Sequence, residues 1–429
     1  MTFKTRHLMW FAAAGIAGGA CTTKEGFTDD ETAVLSKMVI DDSTPIPVSA
    51  TNRYADDPRA AELGHDMFFD KRWVTGAGNC RTCHDLTYGG ADSKARTATT
   101  VFGSAALSRN TPTVFNTAFV PGNNHWSGNF TALWSIPSDV GSSALEQAHF
   151  IYDDPYYRPA YEDLFGPMPD LDDTTRFPPV GGYKTAAWMG MAADDQIAMG
   201  RFTTNIGKSI EAYERKLIDK NSPFDKYMDG DETALSPSAV RGAKLFIGKA
   251  ACNECHNGQA FSDFKFHNVG VPQGALAVDY GFMATGAFQA TYPFNSNGQF
   301  SDNPDYGAKF IALATPVATA DLPMICGGSD PAEGCGAFKT ARLRGVAHTA
   351  PYFHTGGMAS LWDVVAFYNE GAGTDGYVGH RDYAIAPLFL SNDEITDIVA
   401  FLESLTGEPI PDEWAKCPTT IPATACMAP

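Results

Sequence analysis

The sequence lacks long apolar runs after its first twenty residues, an excess of basic residues, and any sustained alternation of apolar and polar residues. Without an apolar run of ~20 residues, no later segment is suited to span a membrane. Acidic residues outnumber basic ones by 50 to 31, so the net charge is −19, and a chain this acidic is poorly suited to bind nucleic acid. The missing alternation argues against a fold built on β-strands. The 429 residues are enough for two or three domains with sizeable cores.

The pattern Cys-x-x-Cys-His occurs twice and is the most informative feature of the sequence. The two copies are Cys80, Cys83, His84 and Cys252, Cys255, His256. Two thiols one turn apart can add to the two vinyl groups of a haem, and the adjacent His can bind the iron as proximal ligand. A zinc site needs four ligands close together, and a redox dithiol does not need the following His. The sequence therefore predicts two covalently bound c-type haems.

The positions of the two motifs predict the domain organisation. A charged, turn-rich stretch from Asn221 to Thr233 separates two halves, and each half contains one motif. We therefore expect a mostly α, loop-rich protein with two c-type cytochrome domains, each built around one covalent haem. The expected divisions are a polar tether at 22–50, an N-terminal cytochrome domain at 51–228, a C-terminal cytochrome domain at 229–410 and a tail at 411–429.

Apolar spacing and capping residues predict the main helices. Between Asp194 and Ile218, apolar residues recur every three or four positions, which is the spacing of one buried helix face. N-capping residues, some with Pro at the first helical position or Glu three residues later, mark other helix starts. These starts are Ser236 with Pro237, Ser360, and Ser391 with Glu394.

Residues 1–21 have the features of an export signal. Lys4 and Arg6 precede the apolar residues 8–17, and the small residues 18–20 precede Cys21. Cys21 is therefore a candidate lipidated cysteine that would tether the protein to a membrane, and ordinary cleavage to a soluble product is the alternative. Both alternatives predict an extracytoplasmic protein, located in the periplasm.

Four further cysteines lie outside the two motifs and the signal. Cys326 and Cys335 are nine residues apart, and so are Cys417 and Cys426. Two local disulfides are expected in an oxidising compartment, although three pairings of four cysteines exist.

Three sequence strings around the motifs carry a resemblance to a known family. They are residues 63–70 (LGHDMFFD), 109–113 (RNTPT) and 343–354 (LRGVAHTAPYFH). With them, the chain resembles the bacterial di-haem cytochrome c peroxidases, including their MauG-like branch, over most of residues 50–410, and matches poorly over 120–190. The resemblance implies that the N-terminal haem reacts with hydrogen peroxide and the C-terminal haem transfers electrons. It also implies a calcium ion and a tryptophan between the two haems.

The resemblance implies a distal ligand for the second haem. The family takes this ligand fourteen residues after the His that corresponds to His354, and that position is Tyr368. Met358, in the preceding loop, is the alternative. An anionic tyrosinate oxygen favours oxidised iron, whereas a thioether favours reduced iron. Tyr368 therefore favours oxidation of a protein partner over uptake of electrons from a small cytochrome.

The acid–base residue and the inter-haem tryptophan each have more than one candidate. The family places a catalytic Glu about twenty residues after the tryptophan, which gives Glu146 if that tryptophan is Trp126. If Glu146 instead belongs to the Glu-Gln-Ala string that precedes the catalytic residue, the catalytic position falls near Tyr156, where Asp153 and Asp154 are the nearby carboxylates. His149 is a possible substitute base, and Trp134 is the rival of Trp126.

Two further expectations concern the first haem and the calcium ion. No His lies between His84 and His125, which suggests that the first haem keeps an open sixth position, as in the MauG-like branch. The calcium site would use Asn110 with the carbonyl groups of Thr349 and Pro351, which are the hard oxygen donors that calcium prefers.

The sequence and the resemblance together predict a di-haem peroxidase. It would reduce hydrogen peroxide at the N-terminal haem and pass oxidising equivalents through the C-terminal haem. Its partner would be an electron-donor cytochrome or a protein substrate. The alternative is a di-haem electron-transfer cytochrome without peroxidase activity.

Overall fold

A computed structural model describes residues 26–73, 79–92, 109–136, 144–273, 278–311 and 317–426. Over these residues the fold is mostly helical, as predicted, with long loops between the helices. The α-helices are α1 Asp29–Leu35, α2 Pro58–Phe69, α3 Ala144–Asp153, α4 Tyr157–Phe165, α5 Ala186–Gly190, α6 Ala193–Glu214, α7 Pro223–Met228, α8 Pro237–Ile247, α9 Thr285–Thr291, α10 Pro304–Ile311, α11 Leu322–Gly327, α12 Leu361–Asn369, α13 Asn392–Glu403, α14 Asp412–Ala415 and α15 Ala423–Cys426.

Short 3-10 turns and one strand pair complete the described secondary structure. The 3-10 turns are Ser36–Met38, Cys80–Thr82, Leu86–Tyr88, Thr117–Phe119, Leu133–Ser135, Cys252–Glu254, Phe282–Ala284, Thr319–Asp321 and Val346–His348. Strands β1 (Phe266–His267) and β2 (Phe338–Lys339) pair antiparallel, with Phe266 opposite Lys339. Among the described helices, none combines the length and apolar character that a membrane span requires.

The first half is built on the packing of α2 against α6. Gly64 of α2 allows this approach, because a Cβ atom there would lie 1.9 Å from the carbonyl oxygen of Ser209 in α6. Apolar side chains of both helices, including Met67, Phe202 and Ile206, are buried in the surrounding core. This pair positions the loops that carry the first Cys-x-x-Cys-His motif.

The second half repeats this arrangement with α8 and α13. Gly242 of α8 faces α13, and a Cβ atom there would lie 1.9 Å from the carbonyl oxygen of Asp397. The rings of Phe246 and Phe401 meet between the two helices at a centroid distance of 5.2 Å. Cys252 lies five residues after the end of α8, so this pair positions the second motif.

The predicted helix starts are confirmed. The side chains of Ser236, Ser360 and Ser391 accept hydrogen bonds from backbone N–H groups at the starts of α8, α12 and α13, and Glu394 completes a capping box with Ser391. The long predicted helix over 194–218 is α6, which ends at Glu214 rather than at Ile218.

The segment predicted as a tether contains a helix that packs on the second half. Residue Leu35 of α1 has no exposed surface, and with Met38 it joins the core around α8 and α13. One terminal nitrogen of the Arg344 guanidinium donates both to the carbonyl oxygen of Met38 and to Asp225 at 2.9 Å, and the other donates to Asp225 at 2.8 Å. Residues 26–40 are therefore folded against the C-terminal half. The predicted signal at 1–21, with Cys21, lies outside the described residues.

The tail packs on the opposite half. Ile421 and Ala425 are buried in the first core, and the carbonyl oxygen of Trp414 accepts a hydrogen bond of 2.8 Å from the Tyr213 hydroxyl. The chain therefore returns to its N-terminal core after completing the C-terminal one.

Both local disulfides form. Cys326 bonds to Cys335, and Cys417 bonds to Cys426. Of the three pairings that the sequence left open, the structure has the local one.

Candidate functional site

The first Cys-x-x-Cys-His motif is a tight turn that presents its three functional side chains together. Asn79 caps the turn by accepting a hydrogen bond of 3.1 Å from the N–H group of Thr82, and the N–H group of His84 donates to the carbonyl oxygen of Cys80 at 2.9 Å. The His84 Nδ1 atom lies 3.2 Å from the carbonyl oxygen of Gly90. This contact holds the ring and leaves Nε2 for a metal. Burial lowers the pKa of His84, which favours the neutral, ligating form.

The second motif has the same construction. The N–H group of His256 donates to the carbonyl oxygen of Cys252 at 2.8 Å, and Nδ1 of His256 lies 3.0 Å from the carbonyl oxygen of Phe261. Burial also lowers the pKa of His256. The four motif cysteines form no disulfide, so each motif offers two thiols and one oriented imidazole.

A cavity of about 300 Å³ adjoins the second motif. Cys252, Cys255 and His256 line it, and so does Tyr368 of α12. Burial, and then the charges of Cys252 and Cys255, raise the pKa of the Tyr368 phenol. Met358 is not among the lining residues, and its backbone carbonyl accepts a hydrogen bond of 2.7 Å from the N–H group of Tyr352. Of the two candidate ligands, the structure brings Tyr368 to the second motif.

Trp126 lines the same cavity, whereas Trp134 does not. The Trp126 indole donates to the carbonyl oxygen of Asn110 at 2.8 Å, and its ring meets His354 edge-on at a centroid distance of 6.3 Å. Trp134 is completely buried and donates to the Thr51 hydroxyl at 3.1 Å. Trp134 is thus a core residue, and Trp126 connects the Asn110 loop to the second cavity.

The candidate calcium residues lie together. The side-chain nitrogen of Asn110 donates to the carbonyl oxygens of Pro351 at 2.5 Å and Phe353 at 3.3 Å. Its Oδ1 atom is buried and has no hydrogen-bond partner. Thr349 lies two residues before Pro351, and its hydroxyl donates to the carbonyl oxygen of Val346 at 3.1 Å. Asn110 therefore combines an unsatisfied oxygen with neighbouring carbonyl oxygens.

The candidate acid–base residues lie on or near α3, which packs against α4 and α6. Glu146 is half-buried on α3. The His149 Nε2 atom lies 3.1 Å from the carbonyl oxygen of Phe177, so this ring is held by the backbone. The Tyr156 hydroxyl hydrogen-bonds to Asp66. The choice among these candidates stays a prediction.

Sequence reasoning missed a group of buried charges beside the two motifs. Lys339 lines the second cavity and donates to the carbonyl oxygen of Asn123 at 2.9 Å, and burial lowers its pKa to about 7. The Nε atom of Arg342 has no hydrogen-bond partner, and burial lowers the pKa of Arg342 to about 10. Buried cations require an anion nearby. Glu214 is one such group beside Arg342, and the carboxylates of a bound haem would supply others. The sequence did contain a signal for them, since both residues lie within four positions of the string 343–354 that carries the family resemblance.

His125 is a second residue that the sequence did not single out. It has a positive φ of 63°. Burial, followed by the charges of His84, Lys339 and Arg109, lowers the pKa of His125 to about 3. This residue is therefore neutral and lies near the first motif.

Comparisons with known proteins agree with this arrangement. Residues 58–233 match the family described as di-haem cytochrome c peroxidase. The chain is 31% identical to the cytochrome-c peroxidase IdrP2 of Pseudomonas sp. (strain SCT), over 86% of each protein. It is 26% identical to the methylamine utilization protein MauG of Methylorubrum extorquens, over 93% of this chain and 92% of that protein.

Solved structures show the same fold. A MauG-like protein associated with microbial copper homeostasis superposes with a TM-score of 0.57 at 22% identity, over 89% of this chain and 99% of that one. The diheme peroxidase BthA of Burkholderia thailandensis E264 superposes with a TM-score of 0.57 at 20% identity, over 82% and 87%. Both motifs, the cavity around His256 and the identity to a curated peroxidase lead to one assignment. The chain belongs to the di-haem cytochrome c peroxidases, a family of oxidoreductases that implies two c-type haems.

Proposed function

We propose that this protein reduces hydrogen peroxide at a haem held by Cys80, Cys83 and His84 in an N-terminal cytochrome domain. Oxidising equivalents then pass through a second haem held by Cys252, Cys255 and His256 in a C-terminal cytochrome domain. The observation that carries the proposal is the cavity that Tyr368 and Trp126 share with His256. Family membership supports the peroxidase reaction.

The haems, when bound, supply redox-active iron and, at the first site, an open position for peroxide. The chain's own residues set how each iron behaves. The carbonyl oxygens of Gly90 and Phe261 orient His84 and His256, and a hydrogen bond at Nδ1 makes the opposite nitrogen a better ligand. Trp126 lies beside the second site and is the proposed electron-transfer bridge between the two halves.

Tyr368 supports a protein partner as the final source of electrons. A hard phenolate oxygen stabilises iron of higher charge, whereas a thioether would favour reduced iron. A site of this kind retains oxidising equivalents long enough to act on a second protein. The second candidate partner is a small electron-donor cytochrome, since the curated relatives include both peroxidases and MauG.

Stoichiometric peroxide addition to the haem-loaded protein tests the function. We expect a rapid change in the Soret band and a high-spin ferric signal by electron paramagnetic resonance before the addition. Fast recovery with reduced cytochrome c would identify a cytochrome as the donor, and slow recovery would favour a protein substrate. A protein with two low-spin haems and no reaction with peroxide would instead be the alternative, an electron-transfer cytochrome.

We also propose that Asn110 and the carbonyl groups of Thr349 and Pro351 hold calcium. The Oδ1 atom of Asn110 supports this, because it is buried and has no hydrogen-bond partner. The amide nitrogen now faces the carbonyl oxygen of Pro351. A 180° rotation of the amide would place Oδ1 on that side, where both oxygens could bind one cation. Metal analysis should find about one calcium ion per chain, and Asn110→Ala should lose it. Retention of the ion in that variant would refute the assignment.

We finally propose that the protein is exported to the periplasm and tethered there through a lipidated Cys21. The disulfides Cys326–Cys335 and Cys417–Cys426 support an oxidising compartment. Cell fractionation tests the proposal, since Cys21→Ser should move the protein from the membrane to the soluble periplasmic fraction. A wild-type protein found in the soluble periplasmic fraction would refute the lipid tether but not the export.

A further inference from the structure

A second cavity, of about 280 Å³, lies outside the two motifs. The segments that line it include residues 47–51, 117–122 and 131–133, together with Glu211 and Arg215 of α6. Val48 is one of the lining residues and is 81% exposed. The cavity therefore begins at the protein surface and ends at α6.

Its inner end carries buried polar atoms without partners. Glu211 is 5% exposed and Thr117 is 7% exposed, and neither Glu211 Oε2 nor Thr117 Oγ1 has a hydrogen-bond partner. The Nε atom of Arg215 is also unsatisfied, although its other nitrogens donate to Pro47 and Asp56. Unsatisfied polar atoms at a cavity of this size are the usual setting of ordered water. The cavity therefore has both the volume and the polar atoms that ordered water needs.

Glu214 continues this polar path one helical turn beyond Glu211. It is 8% exposed, and its Oε2 atom has no hydrogen-bond partner. Residues three apart on a helix lie ~5–6 Å from each other, a gap that one water molecule can bridge. Burial, and then the charge of Glu211, raise the pKa of Glu214 to about 8, so this carboxyl group holds a proton at neutral pH.

The far side of Glu214 faces the first motif. Its charge contributes to the raised pKa of the Cys80 thiol, after burial itself. Arg342 also faces Glu214 and opposes the rise in its pKa, and Tyr213 is the neighbouring group on the same helix. The Arg342 guanidinium donates to the carbonyl oxygen of Thr113, in the loop that follows the motif. Glu214 is therefore one helical turn from Glu211, which lines the cavity, and close enough to the first motif for its charge to act on Cys80.

We propose that the cavity, Thr117, Glu211 and Glu214 form a water-filled route that supplies protons from solvent to the first haem site. The route rests on the proposed peroxidase function. Reduction of hydrogen peroxide breaks the O–O bond and forms two O–H bonds, so each molecule takes up two protons and two electrons and yields two waters. The electrons come from the donor cytochrome or protein side chain named above, and the route supplies the protons.

Arg215 and Lys208 face Glu211 from its own helix, and Ser49 and Asn52 are polar neighbours that partly offset the effect of burial on its pKa. Burial raises the pKa of Glu211 as well. Two neighbouring carboxyl groups that bind protons readily, with water on one side, can exchange a proton without leaving a charge buried.

Steady-state peroxide reduction by the haem-loaded protein tests the route. Glu214→Gln keeps the shape of the side chain but cannot release a proton. We expect turnover at least ~10-fold slower than in the wild type, a change in the pH profile near pH 8 and a larger solvent deuterium isotope effect. Glu214→Asp should restore part of the rate. Glu62→Gln, an exposed residue on α2, is the matched control and should leave all three readouts unchanged.

Thr117→Val provides a second variant, which removes one hydroxyl and no charge, in case Glu214→Gln fails to fold or to bind haem. We expect it to slow turnover in the same way. A high-resolution crystal structure should show ordered water between Glu211 and Glu214. An active wild type whose Glu214→Gln or Thr117→Val variant keeps its rate, pH profile and isotope effect would overturn the route alone. A wild type that does not reduce peroxide would overturn the proposed function and the route together.

Discussion

At the scale of single residues, Tyr368 is the side chain that decides how the second haem would behave. It shares a buried cavity with His256, and the thioether alternative, Met358, does not line that cavity. The two candidates therefore make different predictions.

Tyr368→Phe is expected to change the optical and electron paramagnetic resonance spectra of the second haem, because it removes the oxygen proposed as the ligand. Met358→Leu should leave both spectra as in the wild type. The spectra of the two purified variants, recorded in the ferric state, provide the check. The reverse result would make Met358 the ligand.

The cluster of His267 with Asp263 and Asp382 predicts a pH dependence of stability. The His267 ring lies 3.1 Å from Asp263 and 2.7 Å from Asp382. The hydrogen bond to Asp263 comes first among the contacts that raise the pKa of His267, to about 11, and Cys255 and Asp382 add to it. With Cys255 bound to haem, the two carboxylates remain.

A raised folded-state pKa means that protonated His267 stabilises the fold. This contribution is complete below the unfolded pKa of ~6.5 and is lost as the pH rises through the raised folded-state pKa of His267. His267→Gln should therefore lower the melting temperature most at pH 6 and progressively less up to pH 10. A deficit that is constant over this range would show that packing, and not charge, is lost. His380→Gln, at an exposed histidine, is the control.

At the scale of helices, each half depends on one glycine at a helix crossing. Gly242→Ala would place a methyl group 1.9 Å from the carbonyl oxygen of Asp397, so α8 and α13 would have to move apart. We expect this to cost about 1–3 kcal/mol of unfolding free energy. Gly190→Ala is the matched control, because its Cβ would have no neighbour within 4 Å. Denaturant unfolding measures both variants, and equal stabilities would contradict the role of Gly242.

The helices were predictable from the sequence wherever the signal was local. Caps such as Ser391 with Glu394, and the apolar spacing of α6, depend only on neighbouring residues. The helix pairs were not predictable, because the contact of Gly64 with Ser209 joins positions 145 residues apart. The same distinction holds for the site. The motif residues are contiguous, whereas Lys339 and Arg342 become significant only when folding buries them beside the cavity.

At the scale of the whole molecule, the two ends of the described chain pack on opposite halves. Residues around Leu35 complete the C-terminal core, and residues around Ile421 complete the N-terminal one. A third contact joins Phe130 and Trp134 with Tyr292 and neighbouring rings. The polar composition of 22–50 and the short tail gave no indication of these contacts, because few apolar residues make them.

This arrangement predicts that the halves stay together after the chain is cut. Residues 229–233 are exposed, so a protease site introduced there should be cleaved without loss of packing. The two fragments are expected to co-elute in size-exclusion chromatography, and Leu35→Asp should weaken their association. Separation of the fragments of the otherwise wild-type chain would contradict the prediction.

The exchange of terminal segments also has a consequence for modularity. Neither half completes its own core. The N-terminal segment around Leu35 packs into the C-terminal core, and the C-terminal segment around Ile421 packs into the N-terminal core. A half taken alone would expose to water the part of its core that the other half's terminal segment covers. In a hybrid with a half from a relative, both terminal segments would have to fit the new cores. A hybrid that exchanges only one half between two members of the family should therefore fold less readily than either parent chain.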